Sequence, residues 1–182
     1  MMIIMLPHAT ERIDRSAGRS GHPVGVGMVA HLYLAMAVGE LKLQSNDYHQ
    51  QPFLDYRLLD DPFDMKRVRD QIHICLKLAQ HPDFQEILEK PIYPSESDLE
   101  SDDALDDWML RTVTTGHHIS GTCKMGPSSD DQAVVNQFGK VHGIDGLRIA
   151  DASIMPDCVR ANTNATTIMI GERVADFIKE RK

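Results

Sequence analysis

Two stretches decide how this chain is read: residues 116–126, GHHISGTCKMG, and residues 151–172, DASIMPDCVRANTNATTIMIGE. The first sets His117 and His118 just ahead of a Gly121-Thr122 turn. The second leaves the apolar run at 147–150 through Asp151-Ala152-Ser153, then gathers Asn162-Thr163-Asn164 at the start of a helical pattern. A helix start carries unpaired backbone N–H groups and a partial positive charge, so it can hold an anion or a carbonyl oxygen. An imidazole beside it would set a proton acceptor next to an electron-poor or anionic group. The candidate site is therefore His118 as a base, with Asn162 as its neighbour.

The flanking sequence predicts mixed elements. Residues 24–38 are apolar, and periodicity alone does not decide between strand and helix there. Residues 39–45 alternate apolar and polar, which marks a strand with one wet face, and residues 51–56 form a second short strand candidate. Asp60-Asp61-Pro62 is a helix start, and behind it Met65, Val68, Ile72, Cys75, Leu76 and Ala79 fall at helical spacing until His81-Pro82 ends the pattern. Cys75 lies on that stripe and reads as a small core residue; His73 lies off it. Ser101 opens another helix with Leu105, Trp108 and Met109 on one face, and the lone Trp reads as packing before pocket lining. Residues 112–115 are β-prone. Residues 133–143 read as a short hairpin and 147–150 as a buried strand. The last helix takes Asn162 or Asn164 as its cap and carries a stripe of Ile168, Gly171, Val174, Ala175 and Ile178. Helices and strands in this mixed order suit an α+β architecture.

Composition narrows the function. The 182 residues are 42% hydrophobic and 25% charged, the balance of an ordinary globule with a real core. A net charge of −8 argues against a nucleic-acid partner, because neutralising phosphates needs clustered Lys and Arg. The acidic run at 95–107 reads as a solvated face. Three scattered cysteines, Cys75, Cys123 and Cys158, are no disulfide framework and point to a reducing compartment. No apolar run approaches the ~20 residues that span a bilayer, and the opening MMIIML lacks the basic flank of a signal peptide. The expectation is a cytoplasmic protein without a membrane span. A metal site built from His117, His118, Cys123 and Cys158 has no CxxC or HxxxH spacing to support it, so no metal is expected.

The segments HHISGTCKMG, VHGIDGLRIADASIMP and NTNATTIMIGERVADFI, in that order, resemble the C-terminal signature of the glucose-methanol-choline (GMC) flavin oxidoreductases. The resemblance extends from about residue 24 to the end and is strongest after Thr112. It implies an α+β fold, an antiparallel sheet with helices on one face, plus a C-terminal strand and helix that normally complete the flavin domain. It implies FAD as cofactor and a small-molecule alcohol as substrate. His118 takes the place of the proton acceptor, three residues before the Gly-Thr, and the ordinary imidazole pKa of about 6.5 suits a base working near neutrality. Asn162 matches the second active-site position; its amide can donate to an alkoxide without competing for the proton. Asn there gives the chain a choline-dehydrogenase-like character without establishing choline as substrate. By the same resemblance Asp151 and Ala152 lie near the ribityl and pyrophosphate of the cofactor. Asn162, Thr163 and Asn164 lie at the helix start over its pyrimidine edge, with Thr163 and Asn164 offering backbone N–H groups. His117 reads as a structural neighbour of His118, because adjacent residues of an extended segment face opposite ways.

The chain departs from the family in one respect. A dinucleotide-binding unit carries a G-x-G-x-x-G turn after a strand, and Gly25-Val26-Gly27 is only a partial echo of it. Residues 1–23 are expected to be a ragged or disordered lead and 24–182 the GMC C-terminal domain without its FAD-binding unit. The expected function is the substrate-side portion of an FAD-dependent alcohol dehydrogenase or oxidase, inactive alone. Two alternatives stand beside it: a non-catalytic relic or split-enzyme subunit that needs a separate FAD-binding polypeptide, and an unrelated small globule with a chance His-His pair.

Overall fold

A computed structural model describes residues 2–6, 26–88 and 90–181, divided into two units at Thr114/Thr115. Of the Gly-Val-Gly echo only Gly25 lies outside the described residues, together with residues 1 and 7–23 of the lead, while Gly27 opens a strand.

The first unit, Met1–Thr114, holds all the regular strands among the described residues. Strand β1 (Met2–Leu6) pairs antiparallel with β2 (Gly27–His31), Met2 opposite His31 and Leu6 opposite Gly27. Strand β3 (Glu40–Lys42), in the segment whose alternation predicts a strand, pairs antiparallel with β4 (Phe53–Asp55), in the second short strand candidate. Helix α1 spans Pro62–Ala79; Asp61 caps it, accepting the Phe63 and Asp64 N–H groups at 2.8 and 3.4 Å, and Pro62 opens the first turn. One turn on, the buried Asp64 carboxylate accepts the N–H groups of Met36 and Ala37 at 2.7 and 3.0 Å. Arg67 donates to Asp64 at 3.2 Å and to the carbonyls of Tyr33 and Leu34 at 2.6 and 2.9 Å. A buried carboxylate is tolerable only when its charge and lone pairs are met in this way, and meeting them straps residues 33–37 along α1.

Helix α2 is a short turn, Pro82–Gln85, and α3 spans Asp102–Thr112 behind a Ser101 cap. The core of this unit is Leu59, Ile72, Leu105 and Met109, with Met65, Val68, Leu76 and Trp108 packed against it. Trp108 therefore packs as the sequence predicts. Cys75 is half-buried, and its burial raises the thiol pKa. One expectation is corrected. Thr112 is helical instead of extended, because Leu105 and Met109 hold α3 to the core and its last turn closes through the Val113 N–H donating to Met109 O at 2.8 Å; the Thr112 hydroxyl bonds back to the Trp108 carbonyl at 2.8 Å. The acidic run is largely solvated, as the sequence predicts, and it also carries ion pairs. Arg69 donates to both Asp106 oxygens at 2.8 and 2.6 Å and to Asp102 at 2.6 Å, and Arg111 donates to Asp98 at 2.9 Å. Arg69 thus ties α1 to α3.

The second unit, Thr115–Lys182, contains a single long helix, α4 (Asn164–Lys179), and loops held by isolated backbone pairings. Its core is Val135, Ile154, Met155, Ile170 and Val174. The expected hairpin survives as the bridge between Val135 and Val141, its turn closed by Gly139 N–H donating to Asn136 O at 2.9 Å, and Lys140 also bridges to Arg148 beyond it. Residues 147–150 are not a buried strand: Leu147 is exposed, and only Arg148 makes a bridge. The stripe on α4 is also shifted. Ile170 and Val174 are buried while Ile168 and Ile178 face out, so the inward side follows Thr163, Thr167, Ile170, Val174 and Phe177. The antiparallel ribbons and helices make the α+β class the sequence predicts. No described helix is long and apolar enough to cross a membrane.

Candidate active site

The two diagnostic stretches meet through their backbones. N–H groups of Gly121, Cys123 and Met125 donate to the carbonyls of Ala152, Ser153 and Ile154 at 3.3, 2.9 and 2.9 Å. Every second residue after the histidines thus tracks successive residues of a 3-10 turn, Ala152–Ile154. Gly121 turns the chain into this ladder at φ +81°, a conformation that glycine adopts without a Cβ clash. Asp151 caps the 3-10 turn, its Oδ1 accepting the Ser153 N–H at 2.8 Å. Asp151 is exposed and Ala152 half-buried.

The far end of the ladder is fixed by charge. Lys124 donates to Asp130 Oδ2 at 2.7 Å, and the Gln132 N–H donates to Oδ1 at 2.9 Å. The Lys124 hydrogen bond, then the backbone N–H, holds the Asp130 carboxyl below the usual carboxylate range. Gly126 N–H donates to Val135 O at 2.9 Å, and His142 Nε2 lies 3.1 Å from Gly126 O.

Within this frame Nδ1 of His118 lies 3.0 Å from Oγ1 of Thr163, a contact across 45 residues of chain. Thr163 is buried, at 8% exposure, and is the boundary residue of α4. Its carbonyl accepts both the N–H and the hydroxyl of Thr167, each at 2.8 Å. The cap expected from Asn162 or Asn164 is corrected here. Thr163 occupies the boundary with φ −72° and ψ −14°, Asn164 is already helical, and the Thr163 side chain caps no N–H. Capping needs an extended backbone that aims the side chain at the second or third N–H; Thr163 has helical dihedrals and its hydroxyl meets the imidazole. The first turn of α4 therefore begins without a cap from its boundary side chain.

His117 and His118 are separated by a turn instead of by strand alternation. His117 has φ +63° and its N–H donates to Thr115 Oγ1 at 3.1 Å. Asn162 and Asn164, both exposed, flank Thr163 in the chain. Of the predicted site residues, His118 and Thr163 are in direct contact, and Asp151 and Ala152 sit on the 3-10 turn to which the histidine loop is laced. What sequence reasoning missed is the Thr163 side chain, given only a backbone role there. A signal existed: three residues after Thr163 stands Thr166, where a capping box would need Glu or Gln.

Among the described residues, no group of three or more His, Cys, Asp or Glu side chains is placed to hold a metal ion.

Comparison with known proteins places this geometry in a family. A family model described as GMC oxidoreductase matches residues 35–171. The oxygen-dependent choline dehydrogenase of Cronobacter sakazakii is 41% identical over 143 residues, which are 79% of this chain and 25% of the relative. Its counterpart in Escherichia coli O139:H28 is 38% identical over 141 residues, 78% of this chain and 25% of the relative. Among solved structures, a formate oxidase of Aspergillus oryzae superposes with a TM-score of 0.71 at 33% identity, covering 79% of this chain and 25% of that one. An FAD-dependent oxidoreductase from Chaetomium thermophilum superposes with a TM-score of 0.77 at 27% identity, covering 86% and 26%. A pyridoxine 4-oxidase, at 24% identity and a TM-score of 0.75 over 96% of this chain and 33% of that one, shares the fold. The chain spans about a quarter of the length of the curated relatives it matches. It belongs to the GMC oxidoreductase family, over that family's C-terminal portion.

Proposed function

We propose that this chain is the substrate-side portion of an FAD-dependent alcohol oxidoreductase, with His118 as the base that takes the hydroxyl proton. The observation that carries the reading is the 3.0 Å contact between His118 Nδ1 and Thr163 Oγ1, because it joins the histidine loop to the start of α4. With Nδ1 engaged there, Nε2 is the nitrogen that would receive the proton. The Asn162 amide would donate to the oxygen losing that proton, favouring the alkoxide-like state without contesting the proton. Bound FAD would supply the acceptor for the hydride leaving the alcohol carbon.

The residues fit one edge of such a cofactor. The start of α4 lacks a cap from Thr163, so backbone N–H groups at Thr163 and Asn164 are suited to an edge that gains negative charge on reduction. Asp151 and Ala152 would border the ribityl and pyrophosphate. The pyrophosphate needs the Gly-rich turn that the described residues do not provide, so the 182 residues alone are expected to bind flavin weakly and to be inactive. The reading is the same whether the remaining part lies on this polypeptide or on a separate FAD-binding chain. The relatives named choline dehydrogenases make a small alcohol the substrate class to try first.

The test is complementation. The chain is co-expressed with the preceding three-quarters of a choline-dehydrogenase relative, and flavin absorbance and turnover of small alcohols are measured. Turnover that His118→Gln lowers by about 10²-fold or more supports the base, and turnover indifferent to that substitution refutes it. Stoichiometric flavin and turnover in the chain alone would refute the expected inactivity.

A further inference from the structure

The Thr163 hydroxyl raises a question that the family assignment leaves open: which nitrogen of His118 carries the proton before reaction. A neutral imidazole has one N–H and one bare nitrogen, and the partner of one fixes the role of the other. We propose that Thr163 is a positioning residue that selects the His118 tautomer, accepting Nδ1–H and leaving Nε2 bare. The inference rests on the reading of His118 as the base and names the group that readies it.

Four features support it. The contact is 3.0 Å, within ordinary hydrogen-bond range. The acceptor is rigid: Thr is β-branched and stiff at χ1, the residue is 8% exposed, and its carbonyl is held twice by Thr167. A hydroxyl oxygen can accept from Nδ1–H in both the neutral imidazole and the imidazolium, so proton uptake at Nε2 requires no change of partner. Finally, the helix boundary forgoes the side-chain cap that a Thr there would normally provide. In the opposite arrangement, with the hydroxyl donating to Nδ1, the proton would sit on Nε2 and the base would be blocked.

The experiment reads the proton directly and needs neither flavin nor substrate. Two-bond 1H–15N correlation spectra of the labelled 182-residue chain are recorded at about pH 9, where imidazoles are ordinarily neutral. The His118 signals are assigned by their loss in His118→Gln. The Nδ1–H pattern is expected for the unsubstituted chain, a shift toward the Nε2–H pattern for Thr163→Val, and recovery for Thr163→Ser. An Nε2–H pattern in the unsubstituted chain overturns the proposal, as does a Thr163→Val pattern identical to the parent. If Thr163→Val does not fold, the parent and Thr163→Ser spectra still decide. Failure here is separable from failure of the proposed function. An Nδ1–H pattern together with turnover indifferent to His118→Gln would leave Thr163 as the tautomer-selecting group and remove the base.

Discussion

The two units of the chain reach order by different means. In Met1–Thr114 the described residues form paired strands and helices, and the core of Leu59, Ile72, Leu105 and Met109 gathers largely from α1 and α3. Thr115–Lys182 has one long helix, and the rest of its core comes from loops: Val135, Ile154 and Met155 beside Ile170 and Val174 of α4. There the backbone does what strands do elsewhere, through the 121/152, 123/153 and 125/154 hydrogen bonds and the bridges at 135 and 140. The motif-rich residues sit in the second kind of order. Loops leave polar groups and special backbone angles available to a site, and the cost is that each backbone bond must be specified singly.

Truncating each core separates the two kinds most strongly. Leu105→Ala is expected to cost about 3 kcal/mol and Val135→Ala about 2 kcal/mol, since both side chains are essentially inaccessible, at 1% and 0% exposure. Urea unfolding followed by the single Trp108 reports the first unit, and the His118 NMR signals report the second. Leu105→Ala should move the Trp108 midpoint and Val135→Ala the His118 midpoint. Equal response of both probes to both variants would show one cooperative block and dissolve the contrast.

A smaller effect tests whether loop order depends on backbone geometry. Gly139 has φ +73°, and a Cβ there would come within 2.7 Å of the Ile149 carbonyl oxygen and 3.3 Å of a Val174 methyl. Gly143 has φ +76° with open space around it. Gly139→Ala is therefore expected to cost about 2 kcal/mol and Gly143→Ala about 1 kcal/mol, both read from the His118 midpoint. Equal costs would mean that the close approach to Ile149 is not what the glycine serves.

The same contrast explains what was legible in the sequence. Asp61-Pro62 and Ser101 declare their helices because a cap and a periodic stripe act over neighbouring residues, and β3 declares itself by alternation. The helical fate of Thr112 is hidden because core packing of Leu105 and Met109 overrides a local β preference. The loop unit resisted for a different reason. Leu147–Ala150 has the composition of a strand but finds only the Lys140–Arg148 bridge, and composition does not count partners. The α4 stripe holds at Val174 and fails at Ile168 and Ile178, because the buried side runs through Thr163, Ile170 and Val174. The motifs that frame the candidate site are spelled in order along the sequence. The bond that joins them, His118 to Thr163, spans 45 residues and leaves no local pattern.

The smallest expected effect is an acid one, and each unit carries a carboxylate to show it. Asp130 is held below the usual range first by the Lys124 hydrogen bond and then by the Gln132 N–H; Asp98 is held down first by the Ser95 hydroxyl and then by the Ser95 N–H, with Arg111 adding to it. A folded-state pKa below the unfolded value means that the unfolded chain binds the proton more tightly. The stabilisation is therefore fully present above the unfolded Asp value of about 3.9 and is lost as pH falls through the lowered folded value. Asp130→Asn should flatten the acid limb of stability read at His118, below about pH 4, and leave the Trp108 limb unchanged; Asp98→Asn should do the reverse. The Asp130 pair is partly exposed and screened, so added salt should shrink its effect. Acid limbs that stay steep in both variants would place acid sensitivity in other carboxylates. Flattening at both probes by either variant would tie the loop unit and the helical unit into one proton-linked transition.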